Sequence, residues 1–228
     1  MVDLNNYENI KKDLPEKVKL VAVSKTKPAE DILSLYREGQ RIFGENKAQE
    51  LKNKYEVLPK DIQWHFIGHL QSNKIKYIAP FIGLIHSIDS FRLLKEVNKY
   101  AEKNGRVIPC LIQFHIAREE TKFGFTIEEC EEMLSDPSFH KLQNIEIHGI
   151  MGMATFTDDT GRIRNEFRLL HAHFLFLKEK YFSLAPYFSE ISMGMTDDYK
   201  IALEEGSTII RIGSAIFGER NYIKQNDK

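Results

Sequence analysis

Residues 21–28 read Val-Ala-Val-Ser-Lys-Thr-Lys-Pro, so an apolar run delivers one lysine, Lys25, to its own end. A lysine amine placed there can attack an aldehyde once burial disfavours its ammonium form. The plainer reading is a lysine that lays its stem along a strand end and keeps its amine in water. Near the other end of the chain, Ser192-Met-Gly-Met-Thr-Asp-Asp and Ile209-Ile-Arg-Ile-Gly-Ser-Ala-Ile-Phe-Gly each set a small hydroxyl residue and a glycine behind an apolar run. Hydroxyls and backbone N–H groups at such turns suit an anion, phosphate above all. Arg211 shares strand parity with Gly213 and adds a permanent positive charge on the same face. Its alternative is a core arginine paired with Glu45.

These groups need strands to position them. The segment from Val18 to Ser24 is apolar on both parities except at Lys19, as expected of a parallel strand covered on both faces, and Pro28 ends the pairing. Val21, Val23 and Lys25 point one way, Leu20, Ala22 and Ser24 the other. Further strands are predicted near 41–44, 62–67, 83–87, 107–114, 145–151, 188–192 and 208–212. Helices are predicted at 29–38, 46–57, 71–79, 90–104, 126–135, 163–182 and 197–205, after an opening amphipathic segment with Leu4, Tyr7, Ile10 and Leu14 at helical spacing. Eight strand and helix units predict an α/β fold, a single (β/α)8 TIM-type barrel with an additional N-terminal helix, spanning 1–228 as one domain. An open doubly wound sheet ranks second, since no Gly-x-Gly-x-x-Gly follows a strand.

A barrel places its site where strands end. Lys25 falls there on strand one, Glu45 and Asn46 on strand two, Ser87 and Asp89 after strand four, Ser192 on strand seven, and Gly213 and Ser214 on strand eight. Ser90 precedes Phe91-Arg-Leu-Leu and reads as a helix N-cap. Closure makes the first and last strands neighbours, so Lys25, Arg211 and the anion cradle would share one pocket. A lysine amine, a phosphate cradle and an arginine together suit an aldehyde-bearing phosphorylated cofactor, and pyridoxal phosphate meets all three demands.

The composition fits this picture. The 228 residues are 42% hydrophobic and 29% charged with a formal net charge of −1, which argues against nucleic acid or anionic membrane as partner. No signal-like start or membrane-length apolar run is evident, so a cytoplasmic location is expected. Cys110 and Cys130 lack Cys-x-x-Cys spacing and read as reduced structural residues. His65 and His69 straddle a strand end without the adjacent Glu of a zinc-protease helix. Met151, Met153, Met193 and Met195 read as packing, with ring contact as the alternative.

On Val21-Ala-Val-Ser-Lys-Thr-Lys-Pro28, Phe43-Gly-Glu-Asn46, Trp64-His-Phe-Ile-Gly-His-Leu-Gln71, His148-Gly-Ile-Met-Gly-Met153, Ser192-Met-Gly-Met195 and Arg211-Ile-Gly-Ser-Ala-Ile-Phe-Gly218, the chain resembles the pyridoxal phosphate homeostasis protein family, single-domain relatives of the alanine racemase N-terminal barrel. The resemblance spans nearly the whole chain. It implies that Lys25 carries the cofactor as a lysine aldimine, that Ser192, Gly213 and Ser214 hold its phosphate, that Arg211 faces the pyridine nitrogen, and that Asn46 lies beside the ring. Lys27, next to Pro28, is assigned to the surface. Residues 113–122 are bulkier than the family's small polar loop, while Thr121-Lys-Phe-Gly124 keeps its short Lys-x-Gly element. The implied function is a carrier or regulator, expected as a monomer, that binds pyridoxal phosphate, supports vitamin B6 and amino-acid/keto-acid balance and serves acceptor enzymes. The alternative is a single-domain amino-acid racemase, for which the tyrosine-bearing second domain of the racemases is the missing part.

Overall fold

The apolar runs form one closed parallel barrel in the computed structural model, which describes residues 2–117 and 123–218. The strands are β1 (Lys19–Val23), β2 (Ile42–Glu45), β3 (Gln63–Phe66), β4 (Leu84–Ile88), β5 (Ile108–Gln113), β6 (Ile145–Met151), β7 (Glu190–Ser192) and β8 (Ile209–Ile212). Each pairs with its successor, and β8 pairs back onto β1 with Arg211 opposite Val21. The fold is therefore the expected (β/α)8 barrel. Val21, Leu84, Leu111, Met151 and Ile209 meet in an inner cluster. Their strand neighbours Leu20, Ala22, Ile85, Cys110, Ile112, Ile210 and Ile212 pack beneath the helices, which is the period-two alternation of a strand. By the same parity His86 and Arg211 stand on the inner face, and His65 joins them there by hydrogen bonding.

Alternation breaks in β4, whose register with β5 shifts between Ile85 and Ile88, and again in β6. Ile147 and Ile150 both belong to the outer layer although three positions apart, and Met151 belongs to the inner cluster. The β5–β6 register shifts between Cys110 and Leu111, so β6 carries an extra residue, a bulge that re-aims everything beyond it. Gly149 sits at the shift with φ +152°, and a Cβ there would fall 1.8 Å from the Glu190 carbonyl oxygen.

The helices are α1 (Leu4–Asp13), α2 (Ala29–Arg37), α3 (Ala48–Val57), α4 (Phe91–Lys103), α5 (Ile127–Ser135), α6 (Thr160–Lys180), α7 (Tyr199–Glu204) and α8 (Ser214–Phe217). Ser90 caps α4 as expected, accepting from the Leu93 N–H at 3.3 Å. Helix α6 starts three residues earlier than predicted because Asp159 accepts from the Arg162 N–H at 3.0 Å and supplies its cap. The predicted helix at 71–79 is instead a 3₁₀ segment, Ser72–Tyr77, since Pro80 cannot continue a helix and disfavours helical backbone just before it. Helix α1 buries Tyr7 and Ile10 and braces α8: the Asn6 amide donates to the Ala215 carbonyl at 2.7 Å and the Asp3 N–H to that of Ile216 at 2.8 Å. Both cysteines are buried and unbridged. Among the described residues no helix is long and apolar enough to cross a membrane. Thr121 and Lys122 of the Lys-x-Gly element lie outside the described residues.

Gly149→Ala must push β7 away from β6, and its expected cost is about 2–3 kcal/mol. Urea unfolding of the variant measures it, and an unchanged midpoint would refute the assigned bulge.

Candidate functional site

The turn that carries Lys25 is pinned from below. Ser24 to Lys27 form a tight turn closed by the Lys27 N–H on the Ser24 carbonyl at 3.0 Å, and Thr26 adopts φ +65°, a costly conformation for a β-branched residue. The Glu50 carboxylate offsets that cost by accepting the Thr26 N–H at 2.7 Å. The buried amine of Lys54 then ties the turn to the barrel, donating to the Ser24 carbonyl at 2.8 Å and to Glu45 and Glu50 at 2.7 Å each. Glu45 also accepts from the Ser24 hydroxyl at 2.6 Å. Burial outweighs Lys54 and pushes the Glu45 carboxyl up to about 6. Glu45 is thus committed to Lys54, and the alternative pairing with Arg211 does not occur.

Lys25, Asn46, Arg211, Gly213 and Ser214 line a single cavity of about 450 Å³ at the carboxyl ends of the strands. Asn46 reaches it because α3 starts two residues later than predicted, at Ala48, leaving Asn46 on the rim. Gly68 makes room for it, since a Cβ at 68 would lie 2.6 Å from the Asn46 carbonyl oxygen. A Cβ on Gly213 would meet Val23 at 3.4 Å, and Gly213 itself lines the cavity. Beside it the Ser214 hydroxyl donates to that of Thr196 at 3.2 Å. Thr196 was missed by the sequence reading, although Met-Gly-Met-Thr placed a hydroxyl just past a glycine turn.

Ser192 and Lys27 each make hydrogen bonds of their own. Ser192 is buried and does not line the cavity: its hydroxyl accepts from Arg211 at 2.5 Å and meets His86 Nδ1 at 2.9 Å, so it is engaged inside the barrel below the rim. Lys27 is half-buried and lines the same cavity, its amine donating to the carbonyls of Phe217 at 2.7 Å and Gly218 at 3.1 Å. The methionine pairs divide: Met151 and Met193 are buried, Met153 and Met195 line the cavity.

Arg211 forms no ion pair among the described residues. Its guanidinium donates to Ser192 and, at 3.2 Å, to the Gly152 carbonyl, and burial lowers its pKa to about 10. His86 Nε2 meets His65 Nδ1 at 2.9 Å. Burial lowers His65 to about 3 and holds His86 well below the usual histidine range, so both are neutral at neutral pH.

Barrel, rim lysine, inner arginine and hydroxyl pair define a lysine-bearing (β/α)8 barrel with a built small-molecule site. The family described as alanine racemase, N-terminal domain, matches residues 4–221. The chain is 40% identical over 205 residues to the pyridoxal phosphate homeostasis protein of Aquifex aeolicus, covering 90% of this chain and 88% of that one. It is 35% identical over 215 residues to the protein of the same name from Escherichia coli, covering 92% and 89%. A solved structure of PipY from Synechococcus elongatus with PLP bound matches with TM-score 0.85 and 32% identity, over 94% of this chain and 99% of that one. The chain belongs to the alanine racemase N-terminal domain family and, within it, to the pyridoxal phosphate homeostasis proteins.

A depressed histidine ties stability to pH. The folded state keeps His65 neutral while the unfolded chain takes up a proton below about 6.5, so its contribution is present above that pH and lost as pH falls toward 3. Glu45 acts oppositely: its raised pKa favours the folded state below 4.5, and that contribution is lost as pH rises through about 6. Between pH 7 and 5 the wild type is expected to lose about 2 kcal/mol more than His65→Gln. Urea unfolding at both pH values checks this, and equal losses would show that His65 titrates normally.

Proposed function

We propose that this chain holds pyridoxal 5′-phosphate covalently on Lys25 and gives it up again, as a carrier that limits free aldehyde and supports vitamin B6 and amino-acid/keto-acid balance. One observation carries the reading: the amine of Lys25, the amide of Asn46, the guanidinium of Arg211 and the hydroxyls of Thr196 and Ser214 converge on one cavity. The fit extends to an orphaned atom. The Asn46 side-chain oxygen is buried with no hydrogen-bond partner among the described residues, an acceptor set for a ligand donor. Thr196, Gly213 and Ser214 offer hydroxyls and close backbone approach for a phosphate; Ser192 is left out of that cradle. When bound, the cofactor supplies a carbonyl carbon open to reversible attack by an amine and an electron-withdrawing ring.

Arg211 makes fast turnover less favourable without excluding it, since the racemases share such an arginine and still work. Its guanidinium donates and cannot accept, so opposite a ring nitrogen it keeps that nitrogen unprotonated and weakens the ring as an electron sink. On this reading the chain serves acceptor enzymes as a monomer. The names of the relatives and the PLP-bound PipY structure support this reading. Titrating pyridoxal phosphate into the purified protein should produce a visible absorbance band characteristic of lysine-bound cofactor, and Lys25→Ala should abolish it. The same band in the variant would exclude Lys25 as anchor.

One observation favours the racemase reading. His69 also lines the cavity, and its Nδ1 lies 2.9 Å from Asp89, which leaves Nε2 as the acceptor in the manner of a general base. On that reading the loaded protein exchanges the α-proton of alanine in deuterium oxide, and His69→Gln lowers the rate by about a hundredfold or more. Absence of exchange in the loaded wild type would eliminate it.

A further inference from the structure

The inner face links Arg211 in a chain to three side chains that the proposed cofactor site does not use, Ser192, His86 and His65, at successive distances of 2.5, 2.9 and 2.9 Å. All four are buried. Arginine has no acceptor, so the first bond runs from Arg211 to the Ser192 oxygen. The Ser192 hydroxyl proton then needs an acceptor, and His86 Nδ1 is within reach. A neutral His86 accepting at Nδ1 carries its proton on Nε2 and donates to His65 Nδ1. The reverse order would point two donors at the Ser192 oxygen and leave its own proton without an acceptor among the described residues. Every dipole in the chain therefore turns its negative end toward the guanidinium.

We infer that Ser192 and His86, backed by His65, are positioning residues that hold Arg211 as a fixed hydrogen-bond donor and make the inner end of the cavity specific for a ring that presents an acceptor nitrogen. The inference rests on the reading that Arg211 faces the pyridine nitrogen of pyridoxal phosphate. Without Ser192 the guanidinium keeps its charge but loses its shortest tether, so it no longer stands preorganised where the nitrogen is read.

The test compares pyridoxal phosphate with its carbocyclic analogue, in which C–H replaces the ring nitrogen. The ratio of their dissociation constants cancels any effect on anchoring or folding common to both. Wild type is expected to prefer pyridoxal phosphate by about tenfold or more, the size of a hydrogen bond to a charged group. Ser192→Ala and His86→Phe should bring the ratio toward one while both compounds still bind. An unchanged ratio in the variants overturns the positioning role. Equal binding of the two compounds by wild type overturns the Arg211 contact, and binding of neither overturns the cofactor reading beneath it. A second measurement needs no ligand and no variant: long-range proton–nitrogen spectra of the apoprotein should show His65 and His86 as neutral Nε2–H tautomers. A proton on His86 Nδ1 would overturn the polarity of the chain.

Discussion

The parallel pairing of β8 onto β1 is the constraint on which the rest depends. It aligns Arg211 with Val21 and thereby sets Lys25, two parity steps beyond Val21, above the same lumen. Residues from opposite ends of the chain then share one cavity, which neither end could build alone. Helix α1 secures this closure, because its bonds to Ala215 and Ile216 hold α8, and with it Ser214, against the end of β8. A helix that looks like an appendage in a barrel of eight units thus has a definite task.

Among the described residues the barrel buries two cations, Lys54 and Arg211, and treats them differently. Lys54 receives two carboxylates, Glu45 and Glu50, and its energy goes into the turn that presents Lys25. Removing one partner of such a buried pair typically costs about 3–5 kcal/mol, so the turn and the pair stand or fall together. Arg211 hydrogen-bonds only to neutral groups among the described residues, Ser192 and Gly152, with the Asp198 carboxylate acting on it through space. A carboxylate beside it would satisfy the charge but would also cancel its attraction for an electron-rich ring atom. Weakly hydrated and permanently charged, a guanidinium tolerates this arrangement better than an ammonium would.

Much of this was legible from residue types. Apolar runs on both parities identified the parallel strands, and the parity of Val21, Val23 and Lys25 correctly predicted which side chain reaches the cavity. What escaped had physical causes. The bulge at Gly149 is invisible to a period-two reading, because the extra residue is defined by its partner strand and not by its own sequence. The segment at 71–79 has helical composition, yet Pro80 restricts how far it can run. Lys54 sits on α3 among other lysines, and nothing in Lys-Asn-Lys-Tyr separates a buried network residue from an exposed one; only the closeness of Glu45 and Ser24 does.

Ser192 shows the limit most clearly. A serine at a strand end before Met-Gly-Met-Thr has the right chemistry for a phosphate, and chemistry alone does not give depth. Ser192 is the last residue of β7, paired with Met151 and Ile209, so its hydroxyl stays inside the sheet. Thr196 lies past the glycine turn and reaches the rim. In a parallel barrel the residues still paired in the sheet build the floor, where they meet other strands' side chains, and those beyond the last ladder bond build the cradle. The same hydroxyl chemistry therefore does two jobs a few residues apart. Ser192 meets a guanidinium inside the barrel, and Thr196 pairs with Ser214 at the rim of the cavity.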